Sequence, residues 1–497
     1  MFNIFDTAAN IWQSHSSTSL FVAFTVIVTC KLIYSYYKAF NYFAKLDIPG
    51  PKPWPLLGNI PDIIKIGDQD TAHLKFTNEY GKVFGMFYLS EPVIIVSDCK
   101  VIRRILIKDF YAFPNRQLPF KFPLNYLNKA LAVARDQEWK RLRDILTPTF
   151  TSNKLRSSFL IIDDITTKLV QTLIYCGQKK EIVEMRKLLG EYAMETMLSI
   201  IFGVQMQSSK LTHSATQIFD GGQLRVLVSI LSPSLLEIIR KSPFDFDAKY
   251  FQHLDRAARQ VIKYRRQSDQ PARRDLLQLM MEAENNGKLS DDEIIAQSIV
   301  FLLAGYETTA NTISFAVYLL ATHPEIQDKL INEIDDALQT QADSFNYDKI
   351  HELKYLDMVV SETLRLYPTA STTIREVACD HTIDKYKFKK GGTVMISAYA
   401  LHRNSKEWPD PEKFIPERFT QEEKQKRNPL SYLPFGGGPR VCIGMRFALM
   451  EIKIALVRIL QKVKFTVVKE TEIPLQLRVG PTLSPKNGIK LGIEVRE

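Results

Sequence analysis

The stretch Pro434-Phe435-Gly436-Gly437-Gly438-Pro439-Arg440-Val441-Cys442-Ile443-Gly444 puts one cysteine at the end of a glycine loop. Three glycines followed by proline give a backbone that can adopt conformations closed to other residues and approach a flat ligand closely. Directly after it, Phe447, Met450, Ile454, Val457 and Leu460 recur at helical spacing. Cys442 therefore precedes a helix N-terminus, where loop amides, the positive dipole end and nearby Arg440 are expected to favour thiolate over thiol. A thiolate on such a platform suits a metal. No second cysteine lies nearby, so the metal must bring its remaining ligands with it, as haem iron does. The bland alternative is a structural cysteine in a tight turn.

A second group of reactive side chains sits in Ala304-Gly305-Tyr306-Glu307-Thr308-Thr309. Ser290, with Asp291 and Asp292 next and Glu293 three residues on, reads as a capping box. The helix it opens should run to His323, where Pro324 stops it, a length of roughly 50 Å. So long a helix with so apolar a middle must cross the interior. Gly305 costs it about 0.5–1 kcal/mol, which close packing of Ala304 and Gly305 over a flat cofactor would offset. Thr308 can bond back to a carbonyl four residues earlier. Glu307 is costly in an apolar stretch unless it is solvated or working. Together Glu307 and Thr308 form an acid–alcohol pair, which is what proton delivery to dioxygen requires. A helix with a tolerated glycine and capped hydroxyls is the alternative.

A third group, Glu362 and Arg365, stands three apart on one helical face within Val359 to Pro368. Taken alone, such a pair is a surface ion pair.

These segments resemble the cytochrome P-450 superfamily. Phe435, Gly438, Arg440, Cys442 and Gly444 fill its Phe-x-x-Gly-x-Arg-x-Cys-x-Gly haem-ligand signature. Ala304 to Thr309 is similar to its oxygen-activation segment, and Glu362 and Arg365 fill its Glu-x-x-Arg. The likeness is closest to the family-3 microsomal drug and steroid oxidases, on Glu138 to Arg143, Ala304 to Thr309 and Phe435 to Lys453. It extends from about Pro49 to the C-terminus and is weakest between about Gln205 and Gln270.

The resemblance implies haem b with Cys442 as axial ligand, Phe435, Ala304 and Gly305 against the cofactor, and Thr308 and Glu307 as catalytic residues. It implies Trp139, Arg143, Arg375, Arg440 and, more weakly, Arg116 at the two propionates, since arginine suits bidentate carboxylate contacts. Arg418 becomes the third partner of Glu362 and Arg365 in a structural network. Phe113, Phe120, Phe122 and Tyr126 fall where the superfamily places a pocket-roof loop, although an aromatic cluster also reads as plain core. Phe301, Ala304, Thr308, Ala370, Ile374 and Leu483 would complete an apolar pocket. One departure is the small, polar run Thr369 to Ile374, where relatives often carry bulkier groups, which leaves the Arg375 register open by one residue.

The chain has 497 residues, 45% of them hydrophobic and 24% charged, an ordinary globular composition without low-complexity tracts. Its five cysteines (Cys30, Cys99, Cys176, Cys379 and Cys442) are scattered, with no Cys-x-x-Cys. Neither a disulfide framework nor a zinc site is indicated. From about Thr18 to Tyr37 runs an apolar stretch interrupted by Lys31, near the 20 or so residues that cross a bilayer. A cleaved signal peptide, against which the lack of a basic n-region and of a clear small-residue cleavage site speaks, and an amphipathic surface helix are the alternatives. Tyr34, Tyr36 and Tyr37 suit the headgroup layer, and Lys38 and Lys45 follow, which predicts a cytosolic body. The expected organisation is a lumenal 1–17, a transmembrane anchor 18–37, a basic, proline-rich hinge 38–55, and a haem-thiolate catalytic domain 56–497 in the endoplasmic reticulum membrane. Leu227 to Ile239 is apolar enough to dip into that membrane, or to be a buried helix.

Sixty-five basic against 55 acidic residues leave +10. No basic run interleaved with aromatics appears, so nucleic acid is rejected. An anionic leaflet and an acidic redox partner account for the charge, with Lys140, Arg141, Lys424, Lys426, Arg427 and Arg446 as candidate docking residues. The resemblance implies NADPH–P-450 reductase as that partner, with cytochrome b5 as a second, and NADPH and O2 as co-substrates.

Strand patterns are few: Val83 to Leu89 and Val93 to Val96 as a hairpin around Glu91-Pro92, and Thr393 to Ser397. The expected fold is mainly α with small β-sheets, a long central helix over the haem and a single N-terminal transmembrane helix. The expected activity is insertion of one oxygen atom into an apolar xenobiotic, steroid or lipid. A peroxide isomerase of the same superfamily and a non-catalytic haem sensor are the alternatives. Isomerases tend to lose the acid–alcohol pair, which is intact here.

Overall fold

The computed structural model describes residues 41–117, 122–203, 209–219, 248–267, 275–285, 289–338 and 345–496, with scattered helical residues between 22 and 36. Six helices matter to the site: α1 (Asp136–Leu146), α2 (Ser152–Lys179), α3 (Met185–Phe202), α4 (Asp291–Thr322), α5 (Lys354–Leu366) and α6 (Met445–Leu460). The strands that border it are β1 (Val83–Tyr88), β2 (Glu91–Val96), β3 (Thr372–Glu376), β4 (Thr393–Ser397), β5 (Leu477–Val479) and β6 (Leu483–Pro485). The body is mainly helical with small sheets.

The capping box forms as its residues dictate. The Ser290 side chain accepts from the Glu293 amide, and the Glu293 carboxylate accepts from the Ser290 amide at 2.8 Å. α4 ends at Thr322 with His323 as C-cap. Pro324 does more than stop it: it opens the next helix, Pro324–Leu338, because proline is tolerated in a first turn, where its missing N–H has no partner to lose.

Within α4, Glu293 to Ala321 are buried except Val300, Phe301, Ala304, Gly305 and Thr308. Phe301, Ala304 and Thr308 share one helical face, so an otherwise enclosed helix opens along one stripe. Its other faces pack on α3, α5 and α6, within the larger of the apolar cores.

Strands β1, β2, β4 and β3 lie in that spatial order in one sheet. The hairpin turns at Leu89-Ser90 and not around Glu91-Pro92: Tyr88 pairs with Glu91 and Phe87 with Pro92. Pro92 fits a strand here because the pairing of β2 with β4 begins only at Val93, so its lack of an N–H breaks no bond on that side. β4 spans Thr393–Ser397 as its pattern predicts.

The anchor expected over 18–37 falls largely outside the described residues, as does the segment 227–239. Among the described residues no helix is long and apolar enough to cross a membrane.

Candidate active site

The cysteine loop is shaped by close approach. Gly438 has φ +69°, and a Cβ there would lie 1.9 Å from the Leu106 carbonyl oxygen, so only glycine fits. The Cys442 amide donates to the Phe435 carbonyl at 3.0 Å, closing the loop just before α6. Cys442 is deep in the body, yet its side chain is accessible; it lines a cleft. Phe150 ties this loop to the open stripe of α4. Its ring packs edge-on against Phe301 at 5.8 Å and lies 4.0 Å from a Cβ built on Gly444.

Local signals alone favour thiolate at Cys442, but burial prevails and pushes the thiol up. A backbone hydrogen bond at Gly444 and the charges of Arg116 and Arg143 offset this only in part. Arg440, two residues away, is not the cation that acts on the sulfur. Its guanidinium turns aside to the Asn115 Oδ1 (3.2 Å) and the Ala134 carbonyl (2.9 Å) and stacks over Trp139 at 4.3 Å. A bound metal, by contrast, deprotonates a thiol outright.

Arg116, Arg143, Arg375 and Arg440 converge here. Arg116 donates to the Arg440 carbonyl (3.1 Å) and Arg143 to the Val441 carbonyl (3.0 Å), so both brace the loop. Arg375 and Arg440 are buried, and Arg375 Nε, Arg440 Nε and Arg440 Nη1 have no hydrogen-bond partner. Burial, followed by the repulsion of Arg116, pulls each guanidinium down to about 9. Orphaned buried donors of this kind are costly unless an anion meets them. Haem fits this donor set: one thiol for the metal, guanidiniums for two carboxylates, and an apolar helix stripe beside a flat face. Trp139 and Arg143 stand four apart on α1, and Phe435 is half-buried in the loop.

Behind the loop, Glu362 and Arg365 are wholly buried and paired at 2.7 Å, with Arg418 at 3.3 Å from the same carboxylate. Arg365 also donates to the carbonyls of His402, Pro411 and Lys413. His402 completes the knot from a position no motif flagged. Its Nε2 accepts the Leu433 amide at 2.8 Å and its Nδ1 faces the Arg365 carbonyl at 3.2 Å. Burial drops its pKa to about 3, so it is a neutral structural imidazole.

On α4, the Thr308 hydroxyl donates to the Ala304 carbonyl at 2.6 Å and borders the cleft. Glu307 does not share that face: it is buried, and its Oε1 accepts from Arg186 Nη2 (2.8 Å) and Asn311 Nδ2 (3.1 Å). Arg186, on α3, was invisible to sequence reasoning, whereas the four-residue spacing of Glu307 and Asn311 was readable. Gly305 sits at a helix crossing: a Cβ would lie 2.3 Å from Met197 Sδ on α3.

The expected pocket is only partly assembled. Ala304 and Ala370 are exposed, and Phe301 and Ile374 are half-buried. Phe113 belongs elsewhere: it is fully buried in the sheet-side core, edge-on to Phe388 at 5.4 Å and His381 at 5.7 Å. Phe122 packs on Phe251 at 5.7 Å, and Phe120 lies outside the described residues. Leu483 is buried and contributes its backbone, not an open side chain. Among the docking candidates, Arg141 pairs with Glu138 and Glu293. Arg427 stacks on Trp408 at 3.8 Å, and both are structural. Lys140, Lys424, Lys426 and Arg446 are exposed.

A lone thiol at a cleft, with four arginines gathered near it, two of them carrying orphaned buried donors, and an open helix stripe beside it, is the constellation of a haem-thiolate protein. The sequence profile described as Cytochrome P450 matches residues 48–492, and the chain belongs to that family. It is 40% identical over 476 residues to Cytochrome P450 3A31 of Mesocricetus auratus, covering 92% of this chain and 93% of that one. It is also 41% identical over 476 residues to Cytochrome P450 3A2 of Rattus norvegicus (92% of each), and 38% over 488 to Cytochrome P450 3A7 of Homo sapiens (95% and 96%). It is a haem-thiolate monooxygenase that uses O2 and electrons delivered from NADPH by a reductase.

Proposed function

We propose that Cys442 is the axial ligand of a haem b held by Arg375, Arg440, Trp139, Arg143 and Arg116, in a membrane-anchored oxidase of apolar xenobiotics or steroids. The observation that carries this reading is the pair of buried arginines with orphaned donors beside an accessible thiol. Haem, when bound, supplies the redox-active iron at which dioxygen is reduced and one oxygen atom passes to substrate. Arg375 and Arg440 would donate to its carboxylates, and the exposed Ala304 would lie against it. Thr308 keeps a hydroxyl oxygen at the cleft while its proton is engaged with Ala304, so it can accept a hydrogen bond or relay a proton there. Glu307 is the acid one residue away, held by Arg186 and Asn311. Phe301, Ala370 and Ile374 form the apolar wall for substrate.

The exposed helical surface of Val22, Val26, Ile33 and Tyr34 supports an anchor over 18–37. That anchor would leave 1–17 lumenal, 38–55 as hinge and 56–497 in the cytosol at the endoplasmic reticulum. Lys140, Lys424, Lys426 and Arg446 form the basic surface on which NADPH–P-450 reductase, and cytochrome b5, would dock.

The test uses the haem-loaded full chain with reductase and NADPH. Cys442→Ala abolishes the thiolate-type absorption band of the reduced carbon monoxide complex. Thr308→Ala keeps that band but lowers product formed per NADPH by at least about tenfold. A normal band in the cysteine variant overturns the ligand assignment.

A further inference from the structure

Asn311 is wholly buried and all of its polar groups are used. Its Nδ2 donates to Glu307 Oε1 (3.1 Å) and to the Leu483 carbonyl (3.2 Å), and its Oδ1 accepts from Arg186 Nε (3.2 Å). Leu483 is held from the other side as well, its amide donating to the Thr369 carbonyl at 2.9 Å. Thr369 is buried but the next residue, Ala370, which the proposed function places in the substrate wall, is exposed. Ala370 is joined to Thr369 by its peptide bond, and from the Thr369 carbonyl hydrogen bonds run through the Leu483 backbone and Asn311 to the Glu307 carboxylate. The β5–β6 hairpin is the middle link, since Leu483 pairs with Val479 across it.

We propose that Asn311 is a positioning residue that couples the pocket wall at Ala370 to the acid Glu307, so that the bulk pressing on that wall sets how efficiently electrons become product. This rests on the reading of Glu307 as the acid of the reaction. An amide suits the task because one side chain supplies two donors and an acceptor in a plane. A shift of the Thr369–Leu483 link by a few tenths of an ångström changes the geometry at Glu307 directly. Leucine at 311 would fill the same volume and carry no link.

The experiment compares the native chain, Asn311→Leu, Ala370→Val, the double variant and Glu307→Gln, each full length and haem-loaded, with reductase, NADPH and one apolar probe substrate. Substrate dissociation constants come from the haem spectral shift, and coupling from product per NADPH. Asn311→Leu should lower coupling about threefold to tenfold while the dissociation constant stays within about twofold. Ala370→Val should change coupling in the native background and add nothing in the Asn311→Leu background. Equal Ala370→Val effects in both backgrounds, or native coupling in Asn311→Leu, overturn the proposal. If Glu307→Gln also couples normally, the acid assignment fails with it. If Glu307→Gln uncouples while Asn311→Leu does not, only the Asn311 link fails. Amide exchange in the haem-free chain gives a readout independent of turnover. Residues 477–485 should exchange faster in Asn311→Leu and in the smaller Asn311→Ser, and unchanged exchange in both overturns the link even where haem is lost.

Discussion

Arg186 Nη2 lies 2.8 Å from Glu307 Oε1 across 121 residues of sequence, and Glu307 is almost fully enclosed while Arg186 is about one-fifth open. The pair fastens α3 to α4 beside the cleft. Removing one partner of a buried pair leaves a charge without compensation, which costs more than removing both. Arg186→Gln should therefore destabilise the chain by about 2–3 kcal/mol, below the value for a wholly enclosed pair because solvent reaches the arginine. Adding Glu307→Gln should restore at least half of that loss. Urea unfolding of the two single variants and the double variant checks it, and strictly additive losses would mean that the pair is not coupled.

Arg365 uses all five of its donors: two on Glu362 and three on the carbonyls of His402, Pro411 and Lys413. Lysine has three donors on a single nitrogen and cannot reproduce that fork. Arg365→Lys should cost about 3–5 kcal/mol and release the segment that carries Arg418 behind the cysteine loop. The expected result is loss of bound haem on mild heating, at temperatures where the native chain retains it. Native haem retention would show the network to be dispensable.

What was legible in the sequence was local. The capping box at Ser290, the Thr308 back-bond and the spacing around Cys442 each depend on residues within one turn or one loop, so their types decide the outcome. What was not legible depends on crossings between distant elements. Nothing near Gly305 in sequence announces Met197, which packs from α3 where a side chain on that glycine would stand. Phe113 reads as a pocket roof until Phe388, far along the chain, claims its ring. Leu483 reads as a wall side chain, whereas its backbone does the linking. At Cys442 the backbone hydrogen bond at Gly444 is local, but the acting cations, Arg116 and Arg143, come from far along the chain, and desolvation by the whole body outweighs both.

Asp70 makes stability depend on pH with a definite sign. It is buried, neither carboxyl oxygen is hydrogen-bonded, and burial raises its pKa to about 7, with the nearby Ser371 softening the shift. Between its ordinary value of 3.8 and about 7 the folded chain keeps this proton and the unfolded chain releases it. Stability is thus fully present below about pH 4, falls as the pH rises to about 7, and is flat beyond. Asp70→Asn, which mimics the neutral acid, should match the native chain near pH 4 and exceed it by about 3–4 kcal/mol at pH 8. His73, which burial holds down to about 3, titrates in both proteins and cancels in the difference. A constant gap between the two melting curves from pH 4 to pH 8 would refute the assignment.

Arg440 offers the sharpest separation of structural from ligand-binding roles, because its two effects have opposite signs. Its Nε and Nη1 are buried with no protein partner, and its pKa has fallen to about 9 through burial and the neighbouring arginines. Replacing it by leucine removes an uncompensated charge, at the expense of the bonds to Asn115 and Ala134 and the stack on Trp139. An unsatisfied buried charged donor costs at least as much as such bonds return, so Arg440→Leu should leave the haem-free chain as stable as the native one or more stable. On the proposed role of Arg440 at a haem carboxylate, the same change would delete a charge-assisted hydrogen bond worth about 1.5–3 kcal/mol, so haem should dissociate about tenfold to a hundredfold more readily. Melting of both forms, together with haem transfer to an apo-globin acceptor, reads the two effects separately. An equal loss of stability with and without haem would assign Arg440 to the scaffold and leave Arg375 as the main carboxylate partner.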